Sequence, residues 1–351
     1  MARKATLPHV PSAEYARARK KQMPASISPK TFHGMIRAHV TSCLQWFGCH
    51  RSAPARLGVS ALPSIIIAAA LPALPIVLPS ACGDTLYLSD NNAIQMYDLA
   101  TGASLGSFAS GLNNARGLAF DTAGNLYVAN GGDGTILEFT PGGSRSVFAS
   151  GLNSPCGLSF DAAGNLYTTD GTKIRRFTPG GVGSVFATPL AWLGSPSTPR
   201  GLAFDAAGNL YMADEWYGAI DKFTSTGAAS IFGYHPDVMG LAFDHAGNLY
   251  ASALYGSAVV KFTPGGAKSV FAWTDLNYPG GMVFDSAGNL YAADYYGSRI
   301  EKFSPGGASA LFAVAPASGP SFMIIRIPEP STSAFVAFAF STLALLRRRV
   351  N

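Results

Sequence analysis

Between residues 83 and 327 short apolar runs alternate with clusters of turn-forming residues, and the alternation recurs along the chain. Runs such as Leu118 to Phe120, Leu126 to Ala129, Ile136 to Phe139 and Ser146 to Phe148 have strand length and are too short for helices. Their short links predict an antiparallel meander of four strands, here lettered a to d. The a to b link reads Asp-x-Ala-Gly-Asn each time: the glycine suits the positive φ of a tight hairpin, and the aspartate caps free turn amides. The c to d link is usually Thr-Pro-Gly-Gly, as at Thr140 to Gly143, and suits a type II turn.

Five stretches share one frame: Gly117 to Asn130, Gly157 to Asp170, Gly201 to Asp214, Gly240 to Ala253 and Gly281 to Asp294. Their hairpin aspartates, Asp121, Asp161, Asp205, Asp244 and Asp285, lie 40, 44, 39 and 41 residues apart. Four short strands per period of this length predict an all-β fold, a β-propeller. Thr85 to Asp90 matches strand b without a strand a before it, and Pro320 to Ile325 reads as a strand a with nothing after it. Joined, they complete a sixth four-stranded antiparallel blade, so a C-terminal strand closes the ring and leaves no open edge.

The repeated Gly-Leu-Ala-Phe-Asp-x-Ala-Gly-Asn-Leu-Tyr-x-Ala-Asp, followed by Ile-x-x-Phe, resembles the NHL repeat and the related gluconolactonase-like propellers over residues 83–327. The resemblance implies the fold. It does not single out a function, because propellers of this kind include scaffolds, glycan and RNA binders, lactonases and lyases.

Charge narrows the choice. The whole chain is at +5, yet residues 83–327 carry 12 Lys and Arg against 18 Asp and Glu, a net charge of −6. The basic excess belongs to the ends, and nucleic acid is a poor partner for an acidic repeat region. Residues 1–56 are polar and basic, with initiation at Met35 or later as one reading, and residues 57–82 read as a signal-peptide apolar region with its cleavage site near Ala81 or Cys82. Pro63, Pro72, Pro75 and Pro79 argue against a permanent span, and Pro79 makes lipidation of Cys82 the minority reading. Of Cys43, Cys49, Cys82 and Cys156 only Cys156 certainly survives leader removal, so no disulfide framework is implied. Residues 328–351 run Pro328-Glu329-Pro330, an apolar span from Ser333 to Leu346, then Arg347-Arg348-Arg349, and resemble the PEP-CTERM sorting tail of Gram-negative bacteria. That resemblance implies an exported protein sorted by an exosortase-type processing enzyme, held transiently in the inner membrane by the tail, and placed at the cell envelope or in a biofilm matrix; the arginines keep the tail's end on the cytoplasmic side.

Antiparallel topology puts the d to a and b to c links on one face. They vary, with eight residues between Phe148 and Gly157 but fourteen between Phe186 and Gly201, and variation on a constant scaffold marks a binding face. Three features lie there. Asp90, Asn130, Asp170, Asp214 and Asp294 end strand b and read either as a cation site or, since they recur, as caps of their own loops. Residues entering strand a, namely Arg116, Cys156, Arg200, Met239, Gly280 and Pro320, would ring the channel if strand a is innermost, and Arg116 and Arg200 could receive an anion or pair with neighbouring aspartates. These residues lack the oxygen-rich ligand set that the resemblance to gluconolactonases implies, and His235, the one histidine of the repeat region outside a structural hairpin, reads as a solvated loop residue; no catalytic residue, metal ligand or cofactor is assigned, with a divalent ion such as calcium left open. Finally, Trp216, Tyr217, Tyr255, Tyr295 and Tyr296 fall in the b to c links of three successive blades, with Trp192 in the longest d to a loop, and either stack on a sugar ligand or fill gaps between blades. The reading that follows is a non-enzymatic binding or scaffold protein with an exopolysaccharide or an envelope protein as partner; the alternatives are a metal-dependent lactonase or lyase and a purely structural matrix protein.

Overall fold

The computed structural model describes residues 83–190, 197–253, 258–274, 276–316 and 319–327. The described residues form six sheets of four antiparallel strands and no helix. In blade 2 the strands are Ala115–Phe120, Leu126–Asn130, Thr135–Phe139 and Arg145–Ala149, each one to three residues longer than the apolar run that predicts it. Blade 1 joins Pro320–Arg326 to Thr85–Asp90, Ala93–Asp98 and Ser104–Ser110, so the C-terminal strand closes the ring as its innermost member. The remaining inner strands are Leu158–Phe160, Pro199–Phe204, Val238–Phe243 and Pro279–Phe284, in blades 3 to 6. Inner strands touch their neighbours around the whole ring.

The a to b hairpins form as the sequence predicts. Asp121 Oδ1 accepts the Ala123 and Asn125 amides at 2.9 and 2.8 Å, Oδ2 accepts Asn125 Nδ2 at 2.8 Å, and Gly124 has φ +81°. The c to d turn differs from expectation. Gly143 N donates to the Thr140 carbonyl at 2.8 Å and it is Gly143, not Gly142, that has positive φ, +83°. A type II turn needs its third residue in that region, so this is a type I turn followed by a left-handed glycine bulge.

Between blades the packing is aromatic. Tyr127 of strand b meets Phe148 of its own strand d at 5.0 Å and Phe160 of the next inner strand at 5.1 Å, both edge to face. The same triad recurs around Tyr87, Tyr167, Tyr211 and Tyr250. At the closing seam Tyr291 keeps Phe312, while Ile325 and Tyr97 replace the next blade's phenylalanines.

Nearer the axis the blades come too close for side chains. A Cβ on Gly117, Gly157 or Gly240 would lie 2.2, 2.3 and 2.3 Å from the carbonyl oxygens of Cys156, Arg200 and Gly280 in the following blade. Strand b supplies hydroxyls to this layer in alternate blades. Thr169 Oγ1 accepts Gly157 N at 2.8 Å and donates to the Arg200 carbonyl at 3.2 Å; Ser252 links Gly240 N to the Gly280 carbonyl in the same way, at 3.0 and 2.9 Å.

Gly157→Ala should therefore lower stability by about 1–3 kcal/mol through overpacking against backbone that cannot retreat. Gly142→Ala, whose Cβ would meet only Thr140 Oγ1 at 3.9 Å, should leave the urea midpoint within error; equal effects of the two substitutions would contradict the close-approach account.

Candidate functional site

Beside the axial glycine the inner strand slips register against strand b in four blades, between Ala115 and Leu118 in blade 2, Pro199 and Leu202 in blade 4, Val238 and Leu241 in blade 5 and Pro279 and Met282 in blade 6. A bulge re-aims the side chain it carries. Here it delivers Arg116, Arg200, Met239 and Gly280 to a cavity of about 160 Å³ at the channel mouth, on the face of the variable loops. Blade 1 contributes Ser321, not Pro320 as the sequence suggests, because Pro320 is buried one residue earlier. Cys156 is also absent from the mouth: it is buried, 1% exposed. Phe322 stands where the other blades have glycine and lines both the mouth and a smaller cavity below it, so it floors the site.

The two arginines are held differently. Arg200 Nε and Nη2 both reach Glu215 Oε2, at 2.6 and 2.5 Å, so its partner is a glutamate of its own blade instead of an aspartate. Burial works against the Arg200 charge, yet Cys156 and Glu215 outweigh it and raise the pKa. Arg116 Nε donates to Asn114 Oδ1 at 3.2 Å, and among the described residues no carboxylate lies within ion-pair distance of it.

Opposite them stand Tyr278, Tyr295 and Tyr296, with ring centroids 5.6, 5.2 and 5.0 Å apart pairwise. Tyr295 and Tyr296 come from the b to c link, as predicted, whereas Tyr278 comes from the d to a loop and has φ +67°. Such a conformation is costly for a bulky side chain, and strained residues gather at functional sites. The signal for Tyr278 lay in the repeat: Asn114, Ser154, Asp237 and Gly319 occupy its position in other blades and all have positive φ. Trp216 is 73% exposed and, with Tyr217, does not line the mouth. Tyr255, Trp192 and the sorting residues Pro328, Glu329, Pro330, Arg347, Arg348 and Arg349 lie outside the described residues.

Four of the five strand b ring residues cap loops, whereas the buried Asp90 Oδ1 has no hydrogen-bond partner among the described residues. Asn130, Asp214 and Asp294 each accept, through Oδ1, the amide of Asn113, Thr198 or Asn277 at 2.7, 3.1 and 2.9 Å, and Asp170 takes the Asn153 amide likewise. Among the described residues no three His, Cys, Asp or Glu side chains gather closely enough to hold a metal ion.

His235 is not solvated. It is 8% exposed, and burial, aided by the Lys268 charge and only partly offset by a backbone group of Ala258, pushes its pKa down to about 4. Asp221, 1% exposed on strand c of blade 4, is pushed up to about 6 by burial, against a hydrogen bond from Leu190 N and with repulsion from Asp214 adding to the rise.

This architecture defines the chain as a six-bladed β-propeller. Among solved structures it is similar to one in a nidogen/laminin complex, at TM-score 0.61 and 20% identity over 70% of this chain and 99% of that one. It is also similar to a gluconolactonase from Xanthomonas campestris, at 0.54 and 16% over 68% and 87%, and to a streptogramin B lyase, at 0.52 and 13% over 68% and 91%. At these identities the likeness is one of fold. No family profile and no curated protein sequence matches the chain.

His235 and Asp221 make opposite contributions in one pH window. The depressed His235 pKa costs stability as pH falls from 6.5 toward 4, whereas the raised Asp221 pKa adds stability as pH falls from 6 toward 3.8. Melting of the unaltered protein should be nearly flat there. On acidification His235→Gln should gain stability and Asp221→Asn should lose it, each by about 3 kcal/mol at most; parallel profiles in thermal melts of the two variants would refute the assignment.

Proposed function

We propose that this chain is an exported, envelope-associated propeller that recognises a glycan at the channel mouth without chemical conversion. The observation that carries the reading is the pairing of a three-tyrosine cluster with a guanidinium, on the face whose loops vary most. Aromatic rings stack on the apolar faces of sugars, and planar polar groups bind their hydroxyls. Topology suits a tethered receptor. Thr85 pairs with Arg326 at the hairpin end of blade 1, so the described chain begins and ends on the face opposite the mouth. Anchorage through the tail at residues 328–351, and its processing by an exosortase-type enzyme, would leave the mouth pointing outward into the matrix.

Lactonase or lyase chemistry, the rival reading, draws on the likeness to such enzymes. It calls for a cluster of metal-ligating oxygens in the channel.

Two measurements separate them. Tyr278→Gly combined with Tyr295→Ala and Tyr296→Ala should abolish binding on a glycan array while leaving the melting curve near that of the parent, since glycine accepts the positive φ at 278 without strain. Unchanged binding would remove the mouth from consideration. Metal analysis of the purified protein should find no stoichiometric divalent ion and no change in melting on chelation; a bound ion worth about 2.7 kcal/mol at 100 times its Kd would move the assignment to the enzyme.

A further inference from the structure

Resting on that reading, we infer that the mouth selects a sugar residue bearing a single negative charge, the anion seated on Arg116 and the ring against the tyrosines. The repeat supplies its own control. Blades 2 and 4 both enter strand a with Arg-Gly-Leu, and in each the arginine faces the first residue of its b to c link. In blade 4 that residue is Glu215, which neutralises Arg200. In blade 2 it is Gly131, whose Cβ would stand 3.5 Å from Arg116 Nε, and among the described residues no carboxylate replaces it.

Arg116 is thus oriented and uncompensated. Asn114 holds its Nε edge, which leaves the terminal nitrogens for a bidentate acceptor. Arg116, Arg200 and Glu215 sum to one positive charge in a repeat region of net −6, so the attraction is local to the mouth. One uncompensated charge in a partly enclosed site matches a monoanion and leaves a dianionic phosphate half-neutralised. The cavity of about 160 Å³ admits one sugar ring, with Tyr296, 64% exposed, at its outer edge for the next. A uronate carboxylate and a sugar sulfate monoester share this chemistry.

The test is calorimetric titration of the full chain with four matched oligosaccharides: uronate-terminated, its carboxyl-reduced neutral form, a sulfate monoester and a phosphate monoester. The uronate or the sulfate should bind at least tenfold more tightly than the neutral form, with an affinity that falls as salt rises, and the stronger of the two identifies the anion. In Arg116→Gln both should lose their advantage over the neutral form; Arg116→Lys should recover part of that preference. Equal binding of charged and neutral forms, or tightest binding of the phosphate, overturns the inference and leaves glycan recognition standing. No binding of any of the four overturns both. If Arg116→Gln proves unstable, the salt dependence of the charged ligands against the neutral one in the unaltered protein decides alone.

Discussion

Six inner strands approach so closely around the axis that a single Cβ has no room between them, and most of the molecule answers to that constraint. With a neighbouring carbonyl about 2.2 Å from where the Cβ of Gly117 would be, only glycine fits at the contact. Packing this tight narrows the bore, and where blade 1 breaks the rule with Phe322, the ring lines the small cavity that remains. The backbone polar groups stranded in the layer are met by Ser89, Thr169 and Ser252, which bridge them through hydroxyls at little volume.

The mouth is a by-product of this arrangement. Because the inner strands of blades 2, 4, 5 and 6 slip register beside the glycine at the contact, the residue before it is lifted toward the loop face, and Arg116, Arg200, Met239 and Gly280 form a rim with Ser321 of blade 1. Differences among blades at that rim then carry the chemistry: guanidinium in blades 2 and 4, thioether in blade 5, tyrosines around blade 6. Further out, the Tyr and Phe triads tie blade to blade with edge-to-face contacts that bury large apolar area, so rim residues can vary without loosening the ring.

Buried ionisable groups sit apart from the mouth. Burial disfavours the charged forms of both His235 and Asp221, and both adjoin the loops that join blades. Their opposite signs offset one another between pH 4 and 6, whereas Asp161, Asp205, Asp244 and Asp285, where donors from Asn209 and its equivalents outweigh burial, act only at lower pH.

What the sequence determined by itself was everything governed by neighbours along the chain. Asp121 and Gly124 lie three residues apart, so their hairpin is written out locally, and blade number and closure by a C-terminal strand follow from counting such units. The c to d turn was misread for a local reason too: Gly142 and Gly143 are both glycines, and only geometry says which one turns left-handed. Tertiary structure decided the rest. Tyr278 meets Tyr295 and Tyr296 across a loop boundary, Arg116 meets Asn114 and no described carboxylate because Gly131 faces it where Glu215 faces Arg200, Cys156 turns inward, and His235 is covered. These outcomes depend on which side chain a neighbouring strand or loop places within a few ångströms, and strand periodicity carries no information about that distance.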